Sequence, residues 1–227
     1  MSFTHLHVHS QYSLLDGKAS ISELVDKAIA DGMKGLALTD HGNMFGIKEF
    51  FNYVKKKNSG KAESDKFKPI LGCEMYVAKE RLSDRKDKND NGFHLIVLAK
   101  NETGYHNLIK LVSKAWTDGF YYHPRTDRFE LEKHKEGLIV CSACLGGEIP
   151  QHIMNGDLQS AEDRVKWFKE TFGDDYYLEL QRHETFKENS NREVFPEQQK
   201  VNAVLLEFAK KFYNKVVATN DVHFTFE

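Results

Sequence analysis

Three histidines at alternate positions, His5, His7 and His9, stand in the opening stretch HLHVHSQYSLLDG, which runs on to Asp16 and Gly17. Imidazole is the commonest side-chain ligand for metal ions, and alternate residues of a strand share a face. His7 and His9 are therefore expected to point the same way, with His5 behind them in a supporting role. Similar residues recur along the chain: Asp40 and His41 in LTDHG, Glu74 in ILGCEMYVA, His94 in FHLIVLAK, Cys144 in SACLGGEIP, His183 after YYLELQR, and Asp221 with His223 in ATNDVHF. A single histidine of this kind is more often a hydrogen-bonded packing residue than a ligand. The conjunction carries the argument: of eleven histidines, five (His7, His9, His41, His94 and His223) take this position beside Asp16, Glu74, Cys144 and Asp221. His106, His123, His134 and His152 fall on helical or connecting segments and are read as surface residues. Cys141 and Cys144 make one C-x-x-C without a second, so Cys141 is assigned to the core and Cys144 to the ligands.

Elements that would hold these residues follow from periodicity. Seven short, mostly apolar runs read as strands (THLHVH, GLALTD, FKPILGCEMYVA, FHLIVLAK, GLIVCSA, YYLELQ and VVATND), with helical patterns between most of them. SISELVDKAIADG, for example, has capping-box spacing from Ser20 to Glu23 and a stop at Gly32. Nearly all-apolar strands separated by helices imply a parallel sheet buried on both faces. At 227 residues, a single α/β domain closed as a distorted seven-stranded barrel is the expected fold. In such barrels the C-terminal strand ends gather on one face, so the ligand-competent residues should meet at one mouth. His94 is the exception, lying early in its strand. Lys79 to Gly92, charged and poor in apolar residues, reads as a solvated mobile loop.

Lys and Arg number 32 against 34 Asp and Glu, so no global positive field draws the chain to a polyanion, and any nucleic-acid affinity must be local. No apolar run approaches a membrane span, and three cysteines are too few for a disulfide framework, which together point to a cytoplasmic protein without membrane association.

The set HLHVHSQYSLLDG, LTDHGNMFG, ILGCEMYVA, FHLIVLAK, SACLGGEIP and ATNDVHF resembles the polymerase and histidinol phosphatase (PHP) domain family. More narrowly, it resembles the version at the N-terminus of the alpha subunit of bacterial replicative DNA polymerase III; phosphatase members usually carry histidine where this chain has Cys144. The resemblance implies a trinuclear metal centre held by His7, His9, Asp16, His41, Glu74, His94, Cys144, Asp221 and His223. It also implies that polymerase modules follow the last residues and that other polymerase subunits are partners.

Nine donors shared among three divalent ions leave open positions for water and substrate, as catalytic sites require. Mixed imidazole, carboxylate and thiolate donors suit zinc, manganese or iron, with zinc the leading expectation. Against three carboxylates and a thiolate, three such ions leave a net charge of about +2, which suits a phosphate. The expected reaction is hydrolysis of a phosphoester with a metal-held hydroxide as nucleophile, and the resemblance implies its form: cleavage of the terminal phosphodiester at a DNA 3′ end, a 3′–5′ proofreading exonuclease activity in DNA replication. Arg81, Arg85, Lys86, Arg125, Arg128 and Arg182 are candidate phosphate contacts, and Tyr121 or Tyr122 a stacking partner. Asp40 is expected to orient a ligand from behind, and His183, also placed behind the ligands, either to donate a proton or hold phosphate or, equally, to make a structural hydrogen bond. Two alternatives are a noncatalytic module of the polymerase and a free-standing phosphomonoesterase of histidinol-phosphatase type.

Overall fold

The computed structural model describes residues 3–14, 16–186 and 193–225. Six of the expected apolar runs form strands hydrogen-bonded side by side: β1 (Gly35–Leu38), β2 (Lys68–Val77), β3 (Phe93–Ala99), β6 (Leu138–Cys141), β7 (Tyr176–Gln181) and β8 (Lys215–Thr219). A short hairpin of β4 (Phe120–Tyr121) and β5 (His123–Thr126) attaches to the end of β2 through Tyr76 and Val77. The seventh stave is residues 5–9. On one side the Ala37 and Thr39 amides donate to the His5 and Val8 carbonyls, both at 2.9 Å. On the other, His9 N–H donates to the Val222 carbonyl at 2.7 Å and Val222 N–H to that of His7 at 3.1 Å. This segment joins β1 to the end of β8 and closes the ring.

One strand departs from the expected direction. β3 runs antiparallel to both β2 and β6, whereas the β1–β2, β6–β7 and β7–β8 pairs are parallel. A parallel neighbour needs a crossover connection, usually a helix, to carry the chain back to the opposite end. Residues 79–92 contain no helix, so the chain re-enters the sheet at the end where it left. Reversal turns the start of β3 toward the mouth, which is why His94, early in its strand, lies among residues from strand ends.

Helices α1 (Ile21–Ala30), α2 (Ile47–Lys57), α3 (Glu102–Thr117), α5 (Glu148–Met154), α6 (Leu158–Phe172) and α7 (Val194–Phe212) occupy the expected segments, and a one-and-a-half-turn α4 (Arg128–Lys133) is added. Ser20 and Glu23 form the reciprocal capping box at the start of α1. Alternation along the strands divides the apolar residues. Leu36 and Leu38 face α1 and α2, and Leu95, Val97, Val140 and Leu178 face the remaining helices. Inside the ring, Ala37, Ile96, Leu98, Cys141 and Ala143 make a small apolar floor beneath the polar mouth, Cys141 being buried as expected. Burying each large aliphatic or aromatic side chain contributes about 1.5–3 kcal/mol, so these layers fix the positions of the strand ends.

Residues 79–92 are not a free excursion. Leu82 and Asp90 are buried, and Arg125, completely buried, gathers the segment. Its Nη1 donates to the Asp90 carbonyl and carboxylate at 3.0 and 2.9 Å, and its Nη2 to the Leu82 and Asp84 carbonyls at 3.4 and 2.5 Å. Arg125 is therefore withdrawn as a phosphate contact. Among the described residues no helix is long and apolar enough to cross a membrane.

Candidate metal centre

Glu74 and His94 reach the mouth from within β2 and β3, whereas Asp16, Cys144 and Asp221 come from turns that special backbone shapes make possible. After the first stave the chain doubles back, with Ser13 N–H donating to the Ser10 carbonyl at 2.9 Å and Gly17 N–H to that of Ser13 at 2.8 Å. Gly17 lies so close to Ser10 that a Cβ would sit 1.9 Å from its carbonyl oxygen, so only glycine allows the loop that hangs Asp16 over the site. Gly146 similarly lets the His94 ring lie against the backbone, at 3.0 Å from where a Cβ would be. Two non-glycine residues adopt left-handed backbone here, Ala143 (φ 62°) beside Cys144 and Asp221 itself (φ 48°). Such conformations persist where the surroundings over-determine them, often at functional sites.

Glu74 is the hub. Its carboxylate lies 3.2 Å from His7 Nε2, 3.3 Å from His9 Nε2, 2.6 Å from His41 Nδ1 and 2.9 Å from His94 Nδ1. Cys144 Sγ is 3.8 Å from the same carboxylate and 3.6 Å from His94 Nδ1. Asp221 Oδ1 lies 3.0 Å from His7 Nε2 and 3.2 Å from His9 Nε2. Asp16, about half exposed at the rim, comes within 3.2 Å of His41 Nε2 and 3.8 Å of His223 Nε2. All nine residues assigned as ligands thus meet at one mouth. Three overlapping sets, His7–His9–Glu74, His41–Glu74–His94 and His9–His41–His223, each bring their donor atoms within 4.8 Å of one another.

Five of these atoms, His7 Nε2, His9 Nε2, His41 Nδ1, Glu74 Oε2 and Asp221 Oδ1, are buried and make no hydrogen bond. Buried polar atoms are nearly always paired, so a convergent group of unpaired ones fits a site built for cations. The far nitrogens are, by contrast, occupied. His7 Nδ1 donates to Glu179 Oε1 at 2.7 Å, and that oxygen also accepts from Gln181 Nε2 and Thr219 Oγ1. His9 Nδ1 donates to Ser13 Oγ at 2.8 Å, which in turn donates to Asp40 Oδ1 at 2.9 Å and accepts from the His41 backbone N–H at 3.1 Å. Each bond fixes the ring so that Nε2 faces the centre, where its lone pair serves a cation once that nitrogen is free of its proton.

Burial disfavours charge on all of these groups, and neighbours decide the outcome. For His7 burial, the largest influence, lowers the pKa, but Glu74, Glu179 and Asp221 together outweigh it and leave it well above the ordinary value. In His9 burial prevails and the pKa falls. His41 ends raised, because Glu74 overcomes its burial. Glu74 and Asp221 are pushed up by burial yet held below the usual carboxylate range, chiefly by His7. Burial, with Glu74 and Asp221 adding to it, drives the Cys144 thiol well up, so only a bound cation would make it a thiolate near neutral pH.

Other expectations divide. Asp40 stands one layer back and acts through Ser13. His183 is outside the cluster, with Nε2 donating to the Asn220 carbonyl at 2.8 Å and Nδ1 accepting from Gln198 at 3.0 Å. His5 does not stand behind His7: the chain bends at Leu6 and His7, breaking the alternation, and His5 lines a shallow outer pocket with Leu24, Ala28 and Asp31 of the α1 side. Arg128 is taken up by Glu148 and the Lys79 carbonyl, and Arg85 by the Leu82 and Asp118 carbonyls. Arg81, Lys86, Arg182 and Tyr122 remain exposed, while Tyr121 packs under Arg125.

Sequence reading missed Glu179, Ser13 and His123. Glu179 had a signal, being the one acid inside the apolar run YYLELQ. Ser13 had none. His123, read as surface, stacks on Tyr76 at 4.5 Å between centroids, and Tyr76 in turn meets His94 edge-on at 5.3 Å.

Comparison with known proteins identifies the family. The model of the PHP domain family matches residues 5–183. DNA polymerase III subunit alpha of Borreliella burgdorferi is 45% identical over 224 residues, 98% of this chain, and that of Thermus aquaticus is 45% identical over 229 residues, 99% of it. The chain spans 18% and 17% of those two proteins' lengths. Among solved structures, a Bifidobacterium adolescentis protein provisionally described as a metal-dependent phosphoesterase superposes over 99% of this chain and 88% of its own, with TM-score 0.55 at 14% identity, a likeness of fold. A family match over most of the chain, joined to donors from all around the ring, leads to one conclusion: the chain belongs to the PHP domain family.

Proposed function

We propose that the chain is a metal-dependent phosphoesterase that removes nucleotides from a DNA 3′ end, acting as one part of a replicative DNA polymerase with the other polymerase modules and subunits as partners. The observation that carries this reading is the set of five buried ligating atoms that crowd together around Glu74 without a hydrogen bond. His7, His9, Glu74, Asp221 and the Cys144 side would hold ions in the depth of the mouth, and His41, His94, Asp16 and His223 nearer its rim. Zinc, manganese and iron all suit this donor set. Divalent ions bound there would supply an activated water and offset the charge of a transferring phosphoryl group.

The chain's own part is preorganisation. Glu179 and the Ser13–Asp40 pair aim the Nε2 atoms of His7 and His9 at the mouth before anything binds, and His7 would give up its proton on taking up a cation. Glu74 and Asp221 stay ionised at neutral pH and so draw cations in. Asp16, half exposed, is the ligand best placed to meet an incoming phosphate, and exposed Arg81 and Lys86 lie on the loop that leads to His94. The similarity to polymerase alpha subunits favours a DNA strand as the phosphodiester.

Elemental analysis of the purified protein, together with release of a 3′-labelled nucleotide from a primer, tests this. Bound metal and release by the native protein, with both reduced in Asp16→Ala and His94→Ala, are expected. A native protein that holds no metal and is as inert as its variants would sink the proposal in favour of a purely architectural domain.

A further inference from the structure

Asp221 brings its carboxylate to His7 and His9 from a left-handed backbone, with φ at 48°. β8 has ended at Thr219, so the strand ladder does not impose this turn. Inside the ring, Val222 is held by its two bonds to His7 and His9. On the outer side, the Asn220 carbonyl accepts from His183 Nε2 at 2.8 Å. His183 is in turn gripped twice by Gln198 of α7, which is 2% exposed: its Oε1 accepts from the His183 backbone N–H at 2.7 Å and its Nε2 donates to His183 Nδ1 at 3.0 Å. One amide thereby fixes the ring's position and its tautomer, leaving Nε2–H as the donor toward Asn220. Asn202, one turn along α7, donates to the Gln181 carbonyl at 2.8 Å and ties the same helix to the end of β7.

We propose that His183, held by Gln198, is a positioning residue that sets the left-handed turn at Asp221 and through it the affinity and geometry of the metal centre. This rests on the metal-centre reading above. His183 touches neither the donor cluster nor the mouth, so the arrangement gives it no part in proton transfer. Its effect passes through one backbone carbonyl. Bonds made directly to a metal ligand are typically worth about 10–100-fold in metal affinity, and this one, a residue removed from Asp221, is expected at the low end of that range.

The test titrates Co²⁺ into metal-stripped protein, reading affinity by calorimetry and ligand geometry by the visible absorption of bound Co²⁺. His183→Ala should weaken the binding by roughly tenfold or more and alter the band pattern, while the melting temperature of the metal-free protein changes little. His183→Gln, which keeps an N–H donor at similar reach, should restore most of both. Gln198→Met, matched in shape but lacking both bonds, should fall between, and it decides the matter alone if His183→Ala does not fold. Native affinity and an unaltered spectrum in a folded His183→Ala or Gln198→Met protein would overturn the proposal. Asp221→Ala separates the two readings: if it binds Co²⁺ like the native protein the metal centre itself is wrong, whereas a loss there beside an unaffected His183→Ala rejects only the role of His183.

Discussion

Two clusters of buried charge lie a few residues apart in this fold, and they are built on opposite principles. Around Arg125 every guanidinium nitrogen has an acceptor, drawn from Asp90 and from the Gly119, Leu82 and Asp84 carbonyls. Around Glu74 the polar atoms approach to 2.6–3.3 Å and five remain without a hydrogen bond. A saturated cluster is complete in itself and can only hold the chain. An unsaturated one among groups that ligate metals leaves its capacity for something that arrives from outside. Charge and burial, which the two share, do not distinguish structure from function; unmet bonding capacity does.

The largest expected effect tests the saturated side. Arg125→Met should lower stability by about 3–5 kcal/mol, because it leaves the Asp90 carboxylate buried without its cation. For a chain of this size that corresponds to a melting temperature lower by roughly 10 °C. Residues 79–92 should also become sensitive to limited proteolysis. A melt like that of the native protein would mean that the clamp holds nothing. On the unsaturated side, Glu179→Gln removes the charge that accepts from His7 Nδ1 and should reduce metal affinity by about 10–100-fold, with a far smaller effect on the metal-free melt than Arg125→Met has. Equal destabilisation by the two substitutions would erase the contrast between the clusters.

The sequence made most of the candidate ligands legible because they sit near the end of an apolar run, where periodicity and type can be read together; Glu74 stands inside its run and Asp16 in the turn after the first. Closure of the ring was legible from the number of such runs. Strand direction was not read from the same source: an apolar run looks alike in either orientation, and only the missing helix between Val77 and Phe93 encoded the reversal that brings His94 to the mouth. Arg125 shows a second limit. Composition reports a cation, but whether it faces solvent or backbone carbonyls depends on a loop folding over it. The supports behind the candidate ligands, Ser13, Glu179 and Gln198, escape because the partners they hold lie 15 to 172 residues away.

A pH dependence confined to the unsaturated cluster is the next expected difference. The His7 and His41 pKa values are raised above the ordinary 6.5, so in metal-free protein they contribute stability that is full below that value and is lost as pH rises through their folded values. His9 is lowered and costs stability only as pH falls below 6.5. Glu74 and Asp221 are lowered, and their contribution is lost only in acid, below the ordinary carboxylate range. From about pH 7 upward the metal-free melting temperature should therefore fall, and His7→Asn should flatten that slope. Metal uptake in the same range should release protons, seen as a buffer-dependent enthalpy. A metal-free melt that rises with pH here would contradict the assignment of charge to His7.

The smallest effect belongs to an exposed cation at the edge of the saturated cluster. Arg81 reaches buried Asp127 at 3.1 Å and lies 4.4 Å above the Phe129 ring, yet it is about half exposed. Asp127 does not depend on it, since its carboxylate also accepts from the Leu82 and Glu130 backbone N–H groups, both at 2.9 Å. Arg81→Ala should consequently change stability by less than about 1 kcal/mol, a fraction of the Arg125→Met effect, although the two arginines serve the same loop. If Arg81 also meets a DNA phosphate, the substitution should weaken primer binding most at low salt, where exposed charges are least screened. Melting curves and salt-dependent binding on that single variant would thus separate a stabilising cation from one kept free for the substrate. A loss of stability as large as that of Arg125→Met would show that saturation, rather than burial, had been misjudged at this edge of the fold.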